Sequence, residues 1–271
     1  MNIQGVDIQI EGDGPDTLVM LHGWPDTLAL WHDTVHALKA THRCVRFTLP
    51  AFDAQQPVAP KSLNDMVVFM DAVVNAVSPQ QTVTLVLHDW GCVFGYEYAA
   101  QHPDRVKRIV AVDVGDHNSA ELMKSWGLKA KWAVFSYQAW LAMAWQIAKY
   151  GGRWGRPLAD GMTRYMAKAL RCPSAVADMH SGMNVPYAMK WMKALGSLDQ
   201  AANVLKVLPQ SLPMLYVYGK RKPFMFHSAA WLEKIQAHPG SRTVGFDTGH
   251  WVMSAKPQLF CALLSDWLSK P

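Results

Sequence analysis

The sequence predicts an α/β protein whose mainly parallel sheet is interrupted by an inserted set of helices. Residues 1–117 alternate short apolar runs with helical patterns, which is the arrangement of βαβ units. Residues 118–200 contain no strand-like run, and the alternation returns in residues 201–271. We therefore expect a core domain built from residues 1–117 and 201–271, with residues 118–200 inserted into it as a helical cap.

The core elements follow from the period of the apolar residues. Val6–Ile10 alternates with a period of two, as an edge strand does, whereas Leu18–Leu21 is continuously apolar, as a buried parallel strand is. The same patterns predict further elements in both halves of the core. The strands are Cys44–Phe47, Thr82–Leu87, Val106–Val114, Met214–Tyr218 and Arg242–Phe246, and the helices are Leu63–Val77, Val93–His102, Ser228–Ala237 and Pro257–Leu268.

The inserted segment has the pattern of helices rich in soft apolar side chains. Leu122–Lys149 and Met162–Leu170 are predicted helices, and the glycine-rich run Gly151–Pro157 is predicted to break the chain between them. Six of the 12 Trp and eight of the 15 Met lie within residues 118–200. Packing between cap and sheet would account for them, and so would the lining of a pocket for a small apolar or aromatic organic substrate.

The composition excludes several classes of protein. Half of the 271 residues are hydrophobic, and no apolar run reaches the roughly 18 residues of a membrane span. The N-terminal residues do not follow the basic and then apolar order of a signal peptide. We therefore expect a soluble, cytoplasmic protein without a membrane partner.

The cysteines and the charge predict neither a metal site nor a nucleic-acid partner. The four cysteines are far apart and form no CxxC pair, so we expect reduced thiols rather than a disulfide framework or a zinc site. The net charge is +5, and residues 118–200 alone carry +7. This excess could favour anionic substrates or an acidic surface, but without a nucleic-acid motif a solvated helical face is the preferred interpretation.

Asp89 is the first candidate for chemistry. The strand Thr82–Leu87 is followed by the motif HDWG and then by a helix, which puts Asp89 on the turn between them. Such a turn presents its side chain at the carboxyl edge of the sheet, where open α/β sheets bind ligands. The N-terminus of the following helix favours an anion there. This pattern is typical of a nucleophile elbow with Asp in place of Ser, and the chain contains no G-x-S-x-G motif.

Three further residues are predicted to meet Asp89 at the same edge of the sheet. Trp24, in the motif HGWPD, follows a buried strand and can turn its backbone N–H toward Asp89. His250 follows the last strand on a loop suited to a general base. Asp113 ends the next strand after the elbow, 24 residues beyond Asp89. The order Asp, Asp, His along the chain predicts an active site.

The motifs HGWPD, HDWGCVFGYEYAAQHPDRV and GHWVMSAKPQLF resemble the Asp-nucleophile branch of the α/β-hydrolase superfamily, which includes epoxide hydrolases and haloalkane dehalogenases. The resemblance covers the whole chain in order. It implies an α/β-hydrolase fold, with a mostly parallel eight-stranded sheet, helices on both faces and a helical cap after the sixth strand. It implies neither a metal nor an organic cofactor.

The resemblance also implies a role for each candidate residue. Asp89 would attack the substrate carbon to form an alkyl ester, and His250 would activate the water that hydrolyses this ester. Asp113 would orient the imidazole and stabilise it as imidazolium. The backbone N–H groups of Trp24 and Trp90 would form the oxyanion hole.

The chain departs from the epoxide-hydrolase pattern at the triad acid. Where that branch usually carries an Asp after the seventh strand, this chain has Lys220, Arg221 and Lys222. Many dehalogenases take the acid from the end of the sixth strand, so Asp113 is the expected acid and Asp116 the alternative. A lost acid would instead indicate a ligand-binding homologue without turnover.

Two cap tyrosines favour an epoxide over a halide. An epoxide oxygen leaves as an alkoxide and needs a phenol to donate a proton, whereas a halide needs only weak donors such as indole N–H groups. Tyr137 and Tyr187 lie where the resemblance expects the two tyrosines of epoxide hydrolases. Trp90 fits either family, but Trp24 stands where dehalogenases commonly have Asn. We therefore expect hydrolysis of an epoxide to a diol, with haloalkane dehalogenation as the alternative.

Other reactive side chains in the motifs are interpreted as structural. His22 and His88 are expected to support the turns, and Cys92 is expected to belong to the core. No heptad or other interface pattern predicts an oligomeric state.

Overall fold

The protein is built around one sheet of eight strands, seen in a computed structural model that describes residues 1–55, 62–192 and 212–270. The strands are β1 Asn2–Ile3, β2 Val6–Glu11, β3 Thr17–Leu21, β4 Arg43–Phe47, β5 Val83–His88, β6 Val106–Val112, β7 Met214–Gly219 and β8 Arg242–Phe246. Their order across the sheet is β1-β2-β4-β3-β5-β6-β7-β8. The pairs β1–β2 and β2–β4 are antiparallel, and the other neighbours are parallel. The predicted mostly parallel, eight-stranded sheet is confirmed.

Helices cover both faces of this sheet. Within the described ranges they are α1 His32–Leu38, α2 Leu63–Val77, α3 Trp90–Gln101, α4 Ala120–Ser125, α5 Leu128–Tyr150, α6 Gly152–Ala169, α7 Val185–Met192, α8 Ala229–Ala237, α9 Val252–Ala255 and α10 Pro257–Leu268. Phe94 of α3 and Trp231 of α8 belong to one buried cluster, and Phe260 of α10 belongs to a second. Leu21 contributes to the first cluster and Met20 to the second, because successive side chains of a strand point to opposite faces.

The differences from the predicted core elements occur at the edge that carries the candidate residues. The helix predicted from Val93 begins three residues earlier, directly after Asp89. The strand predicted to reach Val114 ends two residues earlier, because Asp113 has a φ of 71°, outside the β region. Both segments therefore leave the sheet abruptly at a candidate residue.

The described residues between β6 and β7 form no named strand, as predicted, but the helix boundaries differ. The predicted helix Leu122–Lys149 is divided into α4 and α5. The predicted break is confirmed at Gly151, where α5 ends, but it is shorter than predicted, because α6 begins at Gly152 and includes Pro157. A Cβ on Gly155 would lie 2.3 Å from the carbonyl oxygen of Ile147. Glycine at this position therefore permits close packing of α6 against α5 rather than ending the helix.

Three further predictions concern the boundary of the cap, membrane-spanning helices and the state of the cysteines. The predicted boundary between residues 200 and 201 lies outside the described residues. No helix in the described ranges is long and apolar enough to cross a bilayer. All four cysteines are free thiols.

Candidate active site

Asp89 lies on the sharp turn between β5 and α3. Its backbone adopts φ 52° and ψ −120°, a conformation that non-glycine residues rarely adopt and that costs free energy. A Cβ on Gly23 would lie 2.4 Å from the Cβ of Asp89. A Cβ on Gly91 would lie 2.4 Å from the carbonyl oxygen of Leu21. The two glycines therefore allow the turn to pack closely and to hold the carboxylate in one position.

Two backbone N–H groups point at the Asp89 carboxylate. They belong to Trp24 and Trp90, the residues predicted to form the oxyanion hole. Burial raises the pKa of the Asp89 carboxyl to about 6, against the opposing effects of His250 and these two donors. Above this pH the carboxylate is an anion, which is the state that a nucleophile requires.

His250 links Asp89 to Asp113. Its Nε2 lies 3.9 Å from Oδ2 of Asp89, and its Nδ1–H donates to Oδ2 of Asp113. The other oxygen of Asp113 accepts from the backbone N–H of Gly219 at 2.9 Å. Because Nδ1 carries the proton, Nε2 keeps a lone pair on the side of Asp89, and this is the tautomer that a general base needs.

The alternative acid, Asp116, has other partners. It accepts from Oγ of Ser119 and from the backbone N–H and Oγ of Ser228, at distances of 2.6–2.7 Å. Ser228 caps the N-terminus of α8, so Asp116 fixes the start of that helix. Asp113 is therefore the carboxylate that contacts His250.

Lys222, in the loop where the acid was first expected, also contacts Asp113. Its Nζ lies 2.5 Å from Oδ2 of Asp113, and its side chain is 8% exposed. Burial alone would raise the pKa of Asp113, but the charges of Lys222 and His250 outweigh burial and lower it. The neighbouring Arg221 points elsewhere and pairs with the exposed Asp247. The carboxylate therefore stays ionised between a lysine and an imidazole.

The two other histidines of the motifs have structural contacts. Nε2 of His22 accepts from the backbone N–H of Leu49, and its Nδ1–H donates to the carbonyl of Gly23, both at 2.9 Å. Burial lowers the pKa of His22 to about 4. The ring of His88 packs on that of His250, with centroids 4.5 Å apart, and burial lowers its pKa as well. Both rings are therefore neutral near pH 7 and support the turns.

The candidate residues, except the fully buried Asp113, line one cavity of about 950 Å³. The core contributes Asp89, His250 and the two tryptophans of the predicted oxyanion hole, and the segment between β6 and β7 contributes Tyr137 and Tyr187. Much of the remaining wall is apolar and includes Leu122, Met123, Trp126, Val134, Phe135 and Phe226. This volume and lining fit a small organic molecule.

Tyr137 and Tyr187, from the segment between β6 and β7, lie close enough to Asp89 for its charge to affect their pKa values. Burial raises the pKa of both phenols, and the negative charge of Asp89 adds to the effect. The oxygen of Tyr137 accepts from Nε2 of Gln138 at 3.0 Å, and the indole of Trp90 is a hydrogen-bond partner of the Tyr187 oxygen. Each phenol is therefore protonated, and its O–H is left to donate.

The indole N–H groups beside the elbow already have partners. That of Trp24 donates to Oδ1 of Asn184 at 2.9 Å. That of Trp90 is engaged with Tyr187. A halide bound beside Asp89 would have to break one of these contacts to gain an indole donor.

The sequence-based predictions do not include two polar residues of the site. Asp26 is buried, accepts from the indole N–H of Trp251 at 2.8 Å and from Oγ of Ser174, and has a pKa raised by burial. Lys190 lines the cavity, and burial lowers its pKa to about 8. Signals for both were available: Asp26 ends the HGWPD motif, and Lys190 lies one helical turn beyond Tyr187.

Comparison with known proteins supports the α/β-hydrolase fold. Residues 16–146 match the family model described as the α/β hydrolase fold. A curated cis-3-alkyl-4-alkyloxetan-2-one decarboxylase of Xanthomonas campestris pv. campestris is 25% identical over 98% of this chain and 93% of its own length. The protein of the same name from Shewanella oneidensis is 32% identical over 39% of this chain, but the match spans only 34% of that protein.

Solved structures have the same fold. The epoxide hydrolase CorEH superposes with a TM-score of 0.71 at 15% identity, covering 98% of this chain and 96% of that one. A loop variant of the haloalkane dehalogenase DbeA-M1 from Bradyrhizobium elkanii gives a TM-score of 0.68 at 14% identity, covering 99% and 95%. At these identities the likeness shows the fold alone. The chain has the α/β-hydrolase fold, and the predicted resemblance is confirmed at the level of the fold.

Proposed function

We propose that the protein is a hydrolase that converts a small apolar or aromatic epoxide into a diol through an ester on Asp89. The observation that carries this proposal is the set of groups around one cavity. Asp89 meets two backbone N–H donors and the imidazole of His250, and the phenols of Tyr137 and Tyr187 lie in the same cavity. These are the nucleophile, base and proton donors that epoxide opening requires.

In the first step a carboxylate oxygen of Asp89 attacks an epoxide carbon, and the bond between that carbon and the ring oxygen breaks. The departing alkoxide takes a proton from Tyr137 or Tyr187. The product is a hydroxyalkyl ester of Asp89. A phenol is needed here because an alkoxide is a poor leaving group in an apolar cavity.

In the second step water attacks the carbonyl carbon of the ester, and Nε2 of His250 takes its proton. The N–H groups of Trp24 and Trp90 stabilise the tetrahedral oxyanion, and Asp113 stabilises the imidazolium. Collapse of the intermediate breaks the bond between the carbonyl carbon and the alkyl oxygen, and the second proton of the water passes to that oxygen, so that the diol leaves and Asp89 is again a carboxylate. The proton on His250 returns to the phenolate left by the first step, directly or through water.

The alternatives have less support. A haloalkane dehalogenase would use the same nucleophile, but the indoles of Trp24 and Trp90 are engaged with Asn184 and Tyr187. A homologue without turnover is disfavoured by the hydrogen bond from His250 to Asp113.

A second candidate is a strained lactone. Two of the curated relatives are named as decarboxylases of oxetan-2-ones, and one of them aligns along nearly the whole chain. An oxetan-2-one, like an epoxide, is a strained oxygen ring with a carbon that a carboxylate can attack. The same arrangement around Asp89 therefore supports both substrates, with the epoxide first because of the two phenols.

The test is to trap the ester in a His250→Ala variant. The variant is incubated separately with styrene oxide, a 3,4-dialkyl oxetan-2-one and 1-chlorohexane, and the intact protein is weighed by mass spectrometry. An adduct equal to the whole mass of styrene oxide, mapped to Asp89, is the expected result. An adduct short of HCl would indicate dehalogenation, and lactone turnover would be recognised by release of carbon dioxide from the wild type.

Two controls complete the experiment. His36→Ala removes an exposed histidine of α1 that lies outside the motifs and should turn over substrate without accumulating an adduct. Asp89→Asn combined with His250→Ala should give no adduct. If no probe modifies the His250→Ala variant, the proposed ester mechanism is wrong for these substrate classes.

A further inference from the structure

Helix α5 exposes an apolar stripe. Leu128, Trp132, Phe135, Met143 and Tyr150 are separated by three, four, seven or eight residues, so they share one side of the helix. Their exposed fractions range from 42% for Phe135 to 85% for Leu128. The buried residues of α5 lie on its other side. The stripe is therefore not part of the packing between cap and core.

Helix α6 likewise exposes its large apolar side chains. Its buried positions are the small residues Gly155, Ala159, Thr163 and Ala167, spaced by four. Its largest apolar side chains are exposed instead, namely Trp154 at 70%, Leu158 at 58% and Tyr165 at 64%. A surface helix normally turns its large apolar residues to the core and its polar residues to water. Helix α6 instead turns its small residues to the protein and its large apolar residues to water.

The two stripes form one surface, which we call the cap apolar face: Leu128, Trp132, Phe135, Trp140, Met143, Tyr150, Trp154, Leu158 and Tyr165. Trp140 joins the helices, because its ring lies 5.9 Å from that of Tyr165 and its indole N–H donates to the carbonyl of Met162 at 3.1 Å. Soluble monomers rarely expose a contiguous apolar surface of this kind without a binding partner.

Basic side chains outnumber acidic ones on the two helices that carry the cap apolar face. Helices α5 and α6 carry seven Lys and Arg residues and one acidic residue, Asp160. The carboxylate of Asp160 accepts hydrogen bonds from the backbone N–H and Oγ of Ser181. Lys149 lies over the ring of Tyr150, and Arg153 over that of Trp154. The face is therefore an apolar and aromatic centre with a positive border.

This charge distribution selects the partner. A symmetric dimer through the face would bring the same cations of both copies together, which costs free energy. The surface of a bilayer with anionic lipids has the opposite charge, and Trp, Tyr, Lys and Arg are the side chains that reside at a membrane interface.

We propose that the cap apolar face binds the surface of a membrane that contains anionic lipids, with α5 and α6 lying in the plane of the interface. The expectation of no membrane partner relied on the lack of a spanning segment, and an interfacial helix needs none. Lys131 and Phe135 of α5 also line the cavity, so the cap apolar face and the cavity wall share a residue, Phe135. If the proposed function holds, the site receives apolar substrates that are dissolved in the bilayer.

The test is flotation of the wild type with phosphatidylcholine vesicles, with and without phosphatidylglycerol. We expect binding to the anionic vesicles, a blue shift of the tryptophan fluorescence, and weaker binding at high salt. Trp132→Ser with Trp154→Ser should weaken binding at least tenfold, and Arg153→Glu with Arg156→Glu should abolish the preference for phosphatidylglycerol. Leu259→Ser, which changes a side chain 61% exposed on α10, is the matched control and should leave binding unchanged.

Two outcomes would overturn the proposal. One is a wild type that binds neither kind of vesicle. The other is a stable dimer in analytical ultracentrifugation that dissociates in the Trp132→Ser, Trp154→Ser variant, because the face would then bind a second copy. Vesicle binding requires no turnover. Binding without an ester on Asp89 would therefore contradict only the proposed function, and an ester without binding would contradict only the membrane proposal.

Discussion

The ammonium of Lys222 lies 2.5 Å from Oδ2 of Asp113, the same oxygen that accepts from Nδ1 of His250. One carboxylate oxygen thus serves two cation-forming side chains, and the other is held by the N–H of Gly219. The lysine occupies the loop where epoxide hydrolases usually carry their acid, so the loop still contributes a charge to the site, but of the opposite sign.

Replacing Lys222 by Met should destabilise the protein by roughly 1–3 kcal/mol at pH 7, less than for a fully isolated buried pair because His250 remains a partner. The lowered pKa of Asp113 stabilises the fold above the ordinary pKa of an Asp, and this contribution is lost as the pH falls through the lower value. The difference in the free energy of unfolding between the wild type and Lys222→Met should therefore narrow below about pH 4. Urea unfolding at several pH values measures it, and Lys220→Met, at an exposed position, is the control.

Asp113→Asn should slow hydrolysis of the Asp89 ester by roughly a thousandfold or more while leaving its formation largely intact. The amide cannot stabilise the imidazolium, but it does not touch the attacking carboxylate. Rapid-quench single turnover separates the two steps. Asp116→Asn is the contrasting variant, expected to lower stability through Ser228 and to leave ester hydrolysis near the wild-type rate. The reverse result would identify Asp116 as the acid.

Formation of the ester should depend on pH through Asp89 itself. Burial raises its pKa to about 6, and only the ionised carboxylate attacks. The rate of ester formation in single turnover should be level above this pH and should fall tenfold per unit below it. A rate that stays constant from pH 5 to pH 8 would contradict the assignment of Asp89 as the nucleophile with this pKa.

Tyr137→Phe and Tyr187→Phe should each slow epoxide opening by roughly 10²-fold, because one donor to the departing alkoxide is lost. Any reaction with 1-chlorohexane should change little, since chloride leaves without a proton. Pre-steady-state rates with styrene oxide give the comparison. Tyr165→Phe, at an exposed cap position, should behave like the wild type. Equal losses for both substrate types would mean that the tyrosines shape the cavity rather than donate protons.

Much of the core was predictable because it depends on local patterns. The strand Arg242–Phe246 and the helix Leu63–Val77 have the predicted bounds, since period and flanking breakers determine both. The motif after β5 likewise predicted the position of Asp89 on a turn. Each of these features is determined by residues that lie close together in the sequence.

Features that depend on packing between distant elements were not predictable. The run around Gly155 favours a break by composition, yet α6 continues through it because the glycine lets the helix approach Ile147. The pairing of Lys222 with Asp113 joins residues far apart along the chain. Trp154 points outward because the opposite side of α6 packs against the protein. The spacing of the apolar residues along the sequence does not determine which side of the helix packs.

Two hydrogen bonds beside the elbow join the loop after β3 to the segment between β6 and β7: the indole of Trp24 to Asn184, and Oγ of Ser174 to Asp26. Trp24 also supplies an N–H to the Asp89 carboxylate, so moving that segment away at this end would disturb the position of the carboxylate. If the proposed function holds, admission of a substrate by such a movement would therefore also disturb the alignment of Asp89.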